Sequence, residues 1–192
     1  MNRLKAAFAL LLPAAFLAVS APAVAQQSDA GWYIGGAYGM TSFSVDTTGI
    51  TNPSVDESDT GFKIYGGFQF NKYLGAEVGY VDLGKAGVSG SVLGVPFTGD
   101  AGATAWTFAG VGTLPLNESF ALFGKVGLAN WKVNASASGF GSTDDSGTDA
   151  FFGIGGRYNL NKNWGLVLEY EQYTAGDWGD ASFTSLGVRY KF

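Results

Sequence analysis

From residue 31 to the last residue, 192, apolar and polar positions alternate with period two in runs of about ten residues, each ended by turn residues. The runs fall at 31–40, 61–70, 73–83, 103–114, 119–133, 149–160, 164–174 and 181–192. Alternation sends successive side chains to opposite faces of a strand, so the pattern predicts eight strands. Their connections differ in length. Residues 71–72, 115–118 and 161–163 are tight turns; 46–60, 85–101 and 134–148 are long, and 175–180 is intermediate. Eight antiparallel strands with both chain ends on one side need three connections on that side and four on the other. Three short and four longer connections are what the chain supplies.

Which face is oily decides the class. In 61–70, Phe62, Ile64, Phe68 and Phe70 oppose Lys63, Tyr65, Gly67 and Gln69. In 164–174, Trp164, Leu166, Leu168 and Tyr170 oppose Gly165, Glu169 and Glu171. The run 103–114 is less decided, and Trp106 and Phe108 are assigned outward. A soluble barrel would turn the bulky set inward and show water a surface of glycine with little charge. A lipid-facing exterior with small and a few charged residues inside fits the pattern better. Closure follows, because backbone groups in lipid must all be paired. The expected fold is therefore all-β: an eight-stranded antiparallel up-and-down transmembrane β-barrel with short periplasmic turns and longer extracellular loops. Aromatic residues suit the interfaces. Trp32, Phe68, Phe70, Phe120, Tyr158, Trp164, Tyr190 and Phe192 sit near the turn end, and Tyr80 and Tyr170 nearer the loop end.

Composition sharpens this picture. Glycine numbers 30, aromatics make up 15% and charged residues only 14%, against roughly 25% charged in an ordinary soluble domain. The start differs from the rest. Arg3 and Lys5 precede an apolar run with Pro13 inside, and Ala23-Val24-Ala25 is a small-residue cleavage signal before Gln26. Residues 1–25 read as a secretory signal peptide cut between Ala25 and Gln26, leaving 26–192 as the barrel domain. Cleavage removes two of the 11 basic residues and none of the 16 acidic ones, so the mature charge is −7. Nucleic acid is not a partner for such a surface.

Several chemistries are excluded or disfavoured. The chain has no cysteine and no histidine. A Ser-His-Asp arrangement is impossible, and no G-x-S-x-G or H-E-x-x-H motif occurs. An enzyme is not expected, and no cofactor is called for. Asp144, Asp145 and Asp149 form the sharpest acidic stretch, but it lacks the spacing of a calcium loop and reads as a solvated turn. Lys63, Glu77, Lys125, Arg157, Glu169, Glu171 and Arg189 share the inward parity. Eight strands leave room for little more than side chains, so these charges should pair as a structural network. Arg157 and Glu169 are the expected diagonal pair.

By these residues the chain resembles the transmembrane domain of OmpA-type outer-membrane proteins. The stretch TGFKIYGGFQFNKYLGAEVGYVDLG (60–84) is similar to that family's second hairpin, and LGVRYKF (186–192) to its closing strand. Leu168-Glu169-Tyr170 and Gly155-Gly156-Arg157-Tyr158 echo its later strands. The resemblance implies an interior acid at Glu77 and an interior base at Lys125; the charge at Arg157 departs from it. It also implies that Leu186, Val188, Tyr190 and Phe192 form a signal read by the barrel-assembly machinery. Typical relatives continue into a periplasmic peptidoglycan-holding domain, which is not carried over to this chain. The expected location is the outer membrane of a Gram-negative cell, among lipid and lipopolysaccharide. The first functional expectation is a structural and surface-interaction role, with acidic loops offered to a host or environmental ligand. The alternative is a narrow or gated channel for ions or small solutes, and a lipid-modifying enzyme comes third.

Overall fold

The computed structural model describes residues 30–43, 51–56, 58–92, 95–137, 141–174 and 180–192. They form nine strands: β1 (Gly31–Phe43), β2 (Thr51–Asp56), β3 (Ser58–Gln69), β4 (Leu74–Val92), β5 (Val95–Pro115), β6 (Phe120–Ala137), β7 (Gly141–Asn159), β8 (Trp164–Thr174) and β9 (Asp180–Lys191). All pairings are antiparallel, and β1 pairs with both β3 and β9. The ladders β3–β4, β4–β5, β5–β6, β6–β7, β7–β8 and β8–β9 complete the circuit. Eight strands thus close a barrel with no free edge, the requirement for a sheet in lipid. The ninth, β2, pairs only with the far part of β4, from Asp56 opposite Gly87 to Thr51 opposite Ser91.

The alternation predicts the two faces correctly. Ile64 is 57% exposed and Leu168 59%, whereas Lys63, next to Ile64, is 1% exposed. Trp106 and Phe108 point outward and Ala105 and Thr107 are buried. At the turn end the outer aromatics touch one another in groups: Trp32–Phe68–Phe70, Phe120–Tyr158 and Trp164–Tyr190–Phe192. Toward the other end, Phe62, Tyr80 and Trp106 form a second group. These are the two interfacial belts.

The three tight turns share one chemistry. Asn71, Asn117 and Asn161 each accept two backbone N–H groups through the side-chain oxygen. The donors are those of Tyr73 and Leu74, Ser119 and Phe120, and Asn163 and Trp164, at 2.8–3.0 Å. Each asparagine thereby closes the turn on its own backbone.

The long connections depart from expectation. Residues 85–101 and 134–148 read as loops, yet nearly all of them extend the ladders β4–β5 and β6–β7, to Val92 opposite Val95 and Ala137 opposite Gly141. Outside the bilayer a hairpin is wet on both faces, so it needs no oily stripe and leaves no alternation to read. A bulge between Asp82 and Lys85 marks the change on β4. There Gly84 has φ of 76°, a value that favours glycine. Asp82 accepts the Gly84 N–H at 2.9 Å, and Asp59 accepts the Lys85 N–H at 2.7 Å.

Interior aromatics sit over glycines directly opposite them in the ladder. Tyr33 faces Gly67 and Tyr65 faces Gly35; Phe123 faces Gly155. A Cβ added at Gly35, Gly67 or Gly155 would lie 2.3–2.4 Å from the ring opposite. The glycines of the inward face are therefore floor space for rings, which let a narrow lumen fill with large side chains.

Candidate functional site

The lumen is filled in three tiers. At its outer end, Val81, Leu83, Ala105, Ala129, Phe151, Tyr173, Ala181 and Phe183 form an apolar plug. This is where the sequence reading falls short: it expects small and charged residues along the whole interior. Phe183 shares the parity of Arg189, and Tyr173 that of Glu171, so the inward parity is present, but at those strand ends the outward positions are Gln172, Thr174, Ser182 and Thr184 and the oily residues change to the inner face.

Below the plug lies an ion-paired tier. Lys63 on β3 contacts Glu169 at 2.5 Å and Glu171 at 2.8 Å. Lys125 on β6 contacts Glu77 at 2.5 Å and Glu169 at 2.6 Å. Glu169 thus bridges two lysines reaching in from opposite walls. The carboxylates have further donors: Tyr173 Oη donates to Glu171 at 2.9 Å and Tyr33 Oη to Glu77 at 3.1 Å. Both ammonium groups lie 5.2 Å from the Tyr65 ring centre. Burial of isolated charge is costly, and close pairing with extra hydrogen bonds is what offsets it.

Nearest the turns lies a tier with the two arginines. The Arg189 guanidinium stacks over Tyr33, 3.9 Å from the ring centre, and its Nη2 donates to Gln69 Oε1 at 3.5 Å. The expected Arg157–Glu169 pair does not form. Arg157 is opposite Val167, so Glu169 does lie on the diagonal. The carboxylate is held one tier up by the lysines, while the Arg157 stem runs over Gly165, where a Cβ would stand 3.4 Å from Cγ.

The other residues singled out from sequence fall as follows. Leu186 and Val188 are exposed on the outer face of β9, and Phe192 lies just beyond its end; Tyr190 is half-buried between Trp164 and Phe192. Ala25 and Gln26 lie outside the described residues. Asp144 and Asp145 are exposed on the outer part of β7, and Asp149 accepts a hydrogen bond from Trp131 Nε1 at 2.7 Å. Among the described residues no group of three or more acidic side chains is placed to hold a metal ion.

A closed barrel with an oily outside and a charged, packed inside narrows the family, and comparison with known proteins decides it. The model of the outer membrane protein β-barrel domain family matches residues 11–192. The chain belongs to this family. It is 28% identical over 202 residues to outer membrane protein A of Yersinia pseudotuberculosis, covering 96% of this chain and 55% of that protein. It thus spans about half the length of the curated relatives it matches. Two solved structures share the fold. Ail of Yersinia pestis, in complex with the heparin analogue sucrose octasulfate, aligns with a TM-score of 0.55 at 23% identity, over 87% of this chain and 100% of that one. The N-terminal β-barrel domain of OprF from Pseudomonas aeruginosa aligns at 0.57 and 11% identity, over 84% and 98%. The chain is an OmpA-type outer-membrane β-barrel of a Gram-negative cell, and its exposed apolar belt sits in outer-membrane lipid.

Proposed function

We propose that this protein is a structural and surface-display barrel. The observation that supports this is the contrast between the filled lumen and the hairpins that leave it. Five ion-paired side chains under an apolar plug occupy the interior, while β4–β5 and β6–β7 continue as paired strands beyond the outer aromatic group. The outer parts are acidic: Asp59, Asp100, Asp144, Asp145 and Asp180 stand against Lys85 and Lys132. A sulfated polyanion of the kind seen with Ail would be repelled there. The partner class this surface favours is cationic, such as a basic host protein or the divalent cations that bridge lipopolysaccharide phosphates.

The test is adhesion. Vesicles carrying the protein should bind a polylysine surface more than a heparin surface, with the preference weakening as salt rises. Shortening the β6–β7 hairpin by removing 135–146 should lower that binding and leave the barrel folded. Equal binding after truncation, or a preference for heparin, would overturn the proposal.

Two further assignments belong to this reading. Residues 1–25 act as the export signal, checked by the N-terminal mass of protein extracted from outer membranes. The outward residues Leu186, Val188, Tyr190 and Phe192 act as the assembly signal, checked by whether Phe192→Ser lowers the inserted fraction in cells but not refolding in detergent. The second reading, a narrow ion path, draws on one feature: each lumenal lysine already contacts two carboxylates, so partners could exchange without any charge being left alone. Conduction would still require the apolar plug to open.

A further inference from the structure

The two hairpins that rise beyond the outer aromatic group form one sheet, in the order β2-β4-β5-β6-β7. Unlike the barrel, this sheet does not close, so it ends in two edges. They are built differently. β2 is six residues long, carries Pro53, which has no N–H to offer, and slips register between Thr51 and Ser54. A short strand, a proline and a bulge are the usual means of blunting an edge. β7 has none of them. From Asp149 opposite Ala129 to Gly141 opposite Ala137 it pairs with β6 without a shift, and 142–149 contains no proline and no lysine. On its other side β8 follows it only as far as Tyr173 opposite Phe151. The Thr174 hydroxyl then donates to Ala150 O at 2.8 Å, and no described residue pairs with β7 on that side beyond this point.

The direction of the backbone groups follows from the register. In an antiparallel ladder alternate residues exchange hydrogen bonds with one neighbour, and the residues between them face the other way. The Asn159 N–H donates to Ser119 O at 2.7 Å on the β6 side, and the Leu160 N–H to Trp164 O at 2.9 Å on the β8 side. With no shift along β6–β7, odd-numbered residues of β7 bond β6 and even-numbered ones face away from it. Ser142, Asp144, Ser146 and Thr148 therefore point their N–H and C=O groups off the open edge. At Ser146 the N–H donates to the neighbouring Asp145 side chain at 2.8 Å instead of to a strand. Such a row of backbone groups is a template for one more strand.

Charge selects the occupant. Asp144 and Asp145 are exposed and lie on opposite faces of the strand. Opposite charges side by side on paired strands stabilise, and like charges destabilise. A second copy of this chain would bring Asp144 and Asp145 of both molecules into one ladder. We infer that the β7 edge over 142–148 takes an extended, basic segment of a partner protein as an added strand, its main chain on the four even-numbered residues and lysine or arginine beside Asp144 and Asp145. The site rests on the surface role proposed above, for which it supplies the means of holding a cationic partner.

Amide exchange reads the added strand residue by residue. The probe is an eight-residue peptide alternating lysine and threonine, added to the refolded protein. Its control alternates lysine and proline, equal in charge and unable to complete a ladder. The first peptide should slow exchange at Ser142, Asp144 and Thr148 about tenfold or more and leave Thr143, Asp145 and Gly147, already bonded to β6, unchanged; the second should slow none. Ser146→Pro keeps every charge and every hydrogen bond to β6, and should weaken binding of the first peptide about tenfold. If that variant does not refold, the two peptides on the parent protein decide the matter. Binding without slowing at the even-numbered residues, equal effects of the two peptides, no binding of either, or unchanged binding to folded Ser146→Pro would overturn strand addition. A preference for polylysine over heparin that persists in that case leaves the surface role standing, whereas loss of that preference removes both.

Discussion

Removing Lys63 should destabilise the barrel far more than removing the acid it grips. Lys63 is 1% exposed and Glu169 2%, so neither charge is relieved by solvent. In Lys63→Met the ammonium that contacts both Glu169 and Glu171 is lost. Glu171 keeps only the Tyr173 hydroxyl, and the tier moves from one excess negative charge to two. Breaking a buried pair so that a charge is left uncompensated costs about 3–5 kcal/mol. In Glu169→Gln the tier becomes neutral. Lys63 keeps Glu171 at 2.8 Å and Lys125 keeps Glu77 at 2.5 Å, and the amide oxygen still accepts a hydrogen bond. The loss is the difference between charged and neutral hydrogen bonds, roughly 1–2 kcal/mol. Urea unfolding in lipid vesicles, followed by heat-modified gel mobility, measures both. A gap of about 2 kcal/mol is a factor near 30 in the folded-to-unfolded ratio. Equal costs, or a larger cost for Glu169→Gln, would refute the division of charge described here.

Three other outcomes follow from the same structure. Gly35→Ala pushes a Cβ against the Tyr65 ring and should cost about 1–3 kcal/mol; adding Tyr65→Ala should abolish that specific penalty, as a double-mutant cycle in the same unfolding assay would show. Asn117→Ala removes the oxygen that accepts two turn N–H groups and should lower stability by about 1–2 kcal/mol, whereas Asn130→Ala on an exposed face should change little. Asp59 accepts the backbone N–H groups of Lys85 and Thr60, which hold its carboxyl below the usual carboxylate range. Its hold on the β4 bulge is therefore complete above that range and is lost as pH falls through the lowered value; ¹³C titration of Asp59 with amide exchange at Lys85 should show both changes together, and an unshifted carboxyl would contradict it.

The membrane-embedded part of this fold was legible because lipid imposes a rule on every residue. Ile64 must be oily and Lys63 must be hidden, and the two-residue period records both demands. The hairpins above obey no such rule. Residues 134–137 and 141–148 pair as strands although nothing in their polar pattern says so, since water accepts either face. The charged interior was legible by parity, but its partners were not. Arg157 and Glu169 are diagonal neighbours on adjacent strands, and local register alone favours them. What decides otherwise is the reach of Lys63 and Lys125 across the barrel, a contact between residues separated by 106 positions in the case of Lys63 and Glu169. The apolar plug was hidden for a third reason: near the outer rim the outward positions turn polar, as at Asp82, Gln172, Thr174, Ser182 and Thr184, while the oily residues move inside, so the rule that oily side chains face lipid no longer reads the strand.

The account rests on a lumen that is shut. Planar-bilayer recording of the refolded protein tests that most directly. The filled interior predicts no discrete current steps from the parent protein, with steps appearing only when the apolar plug is cut back, as in Phe183→Gly with Phe151→Gly. Steady steps from the parent protein, altered by Glu169→Gln, would show instead that ions pass the lysine–glutamate tier and would move the function from the surface to the interior.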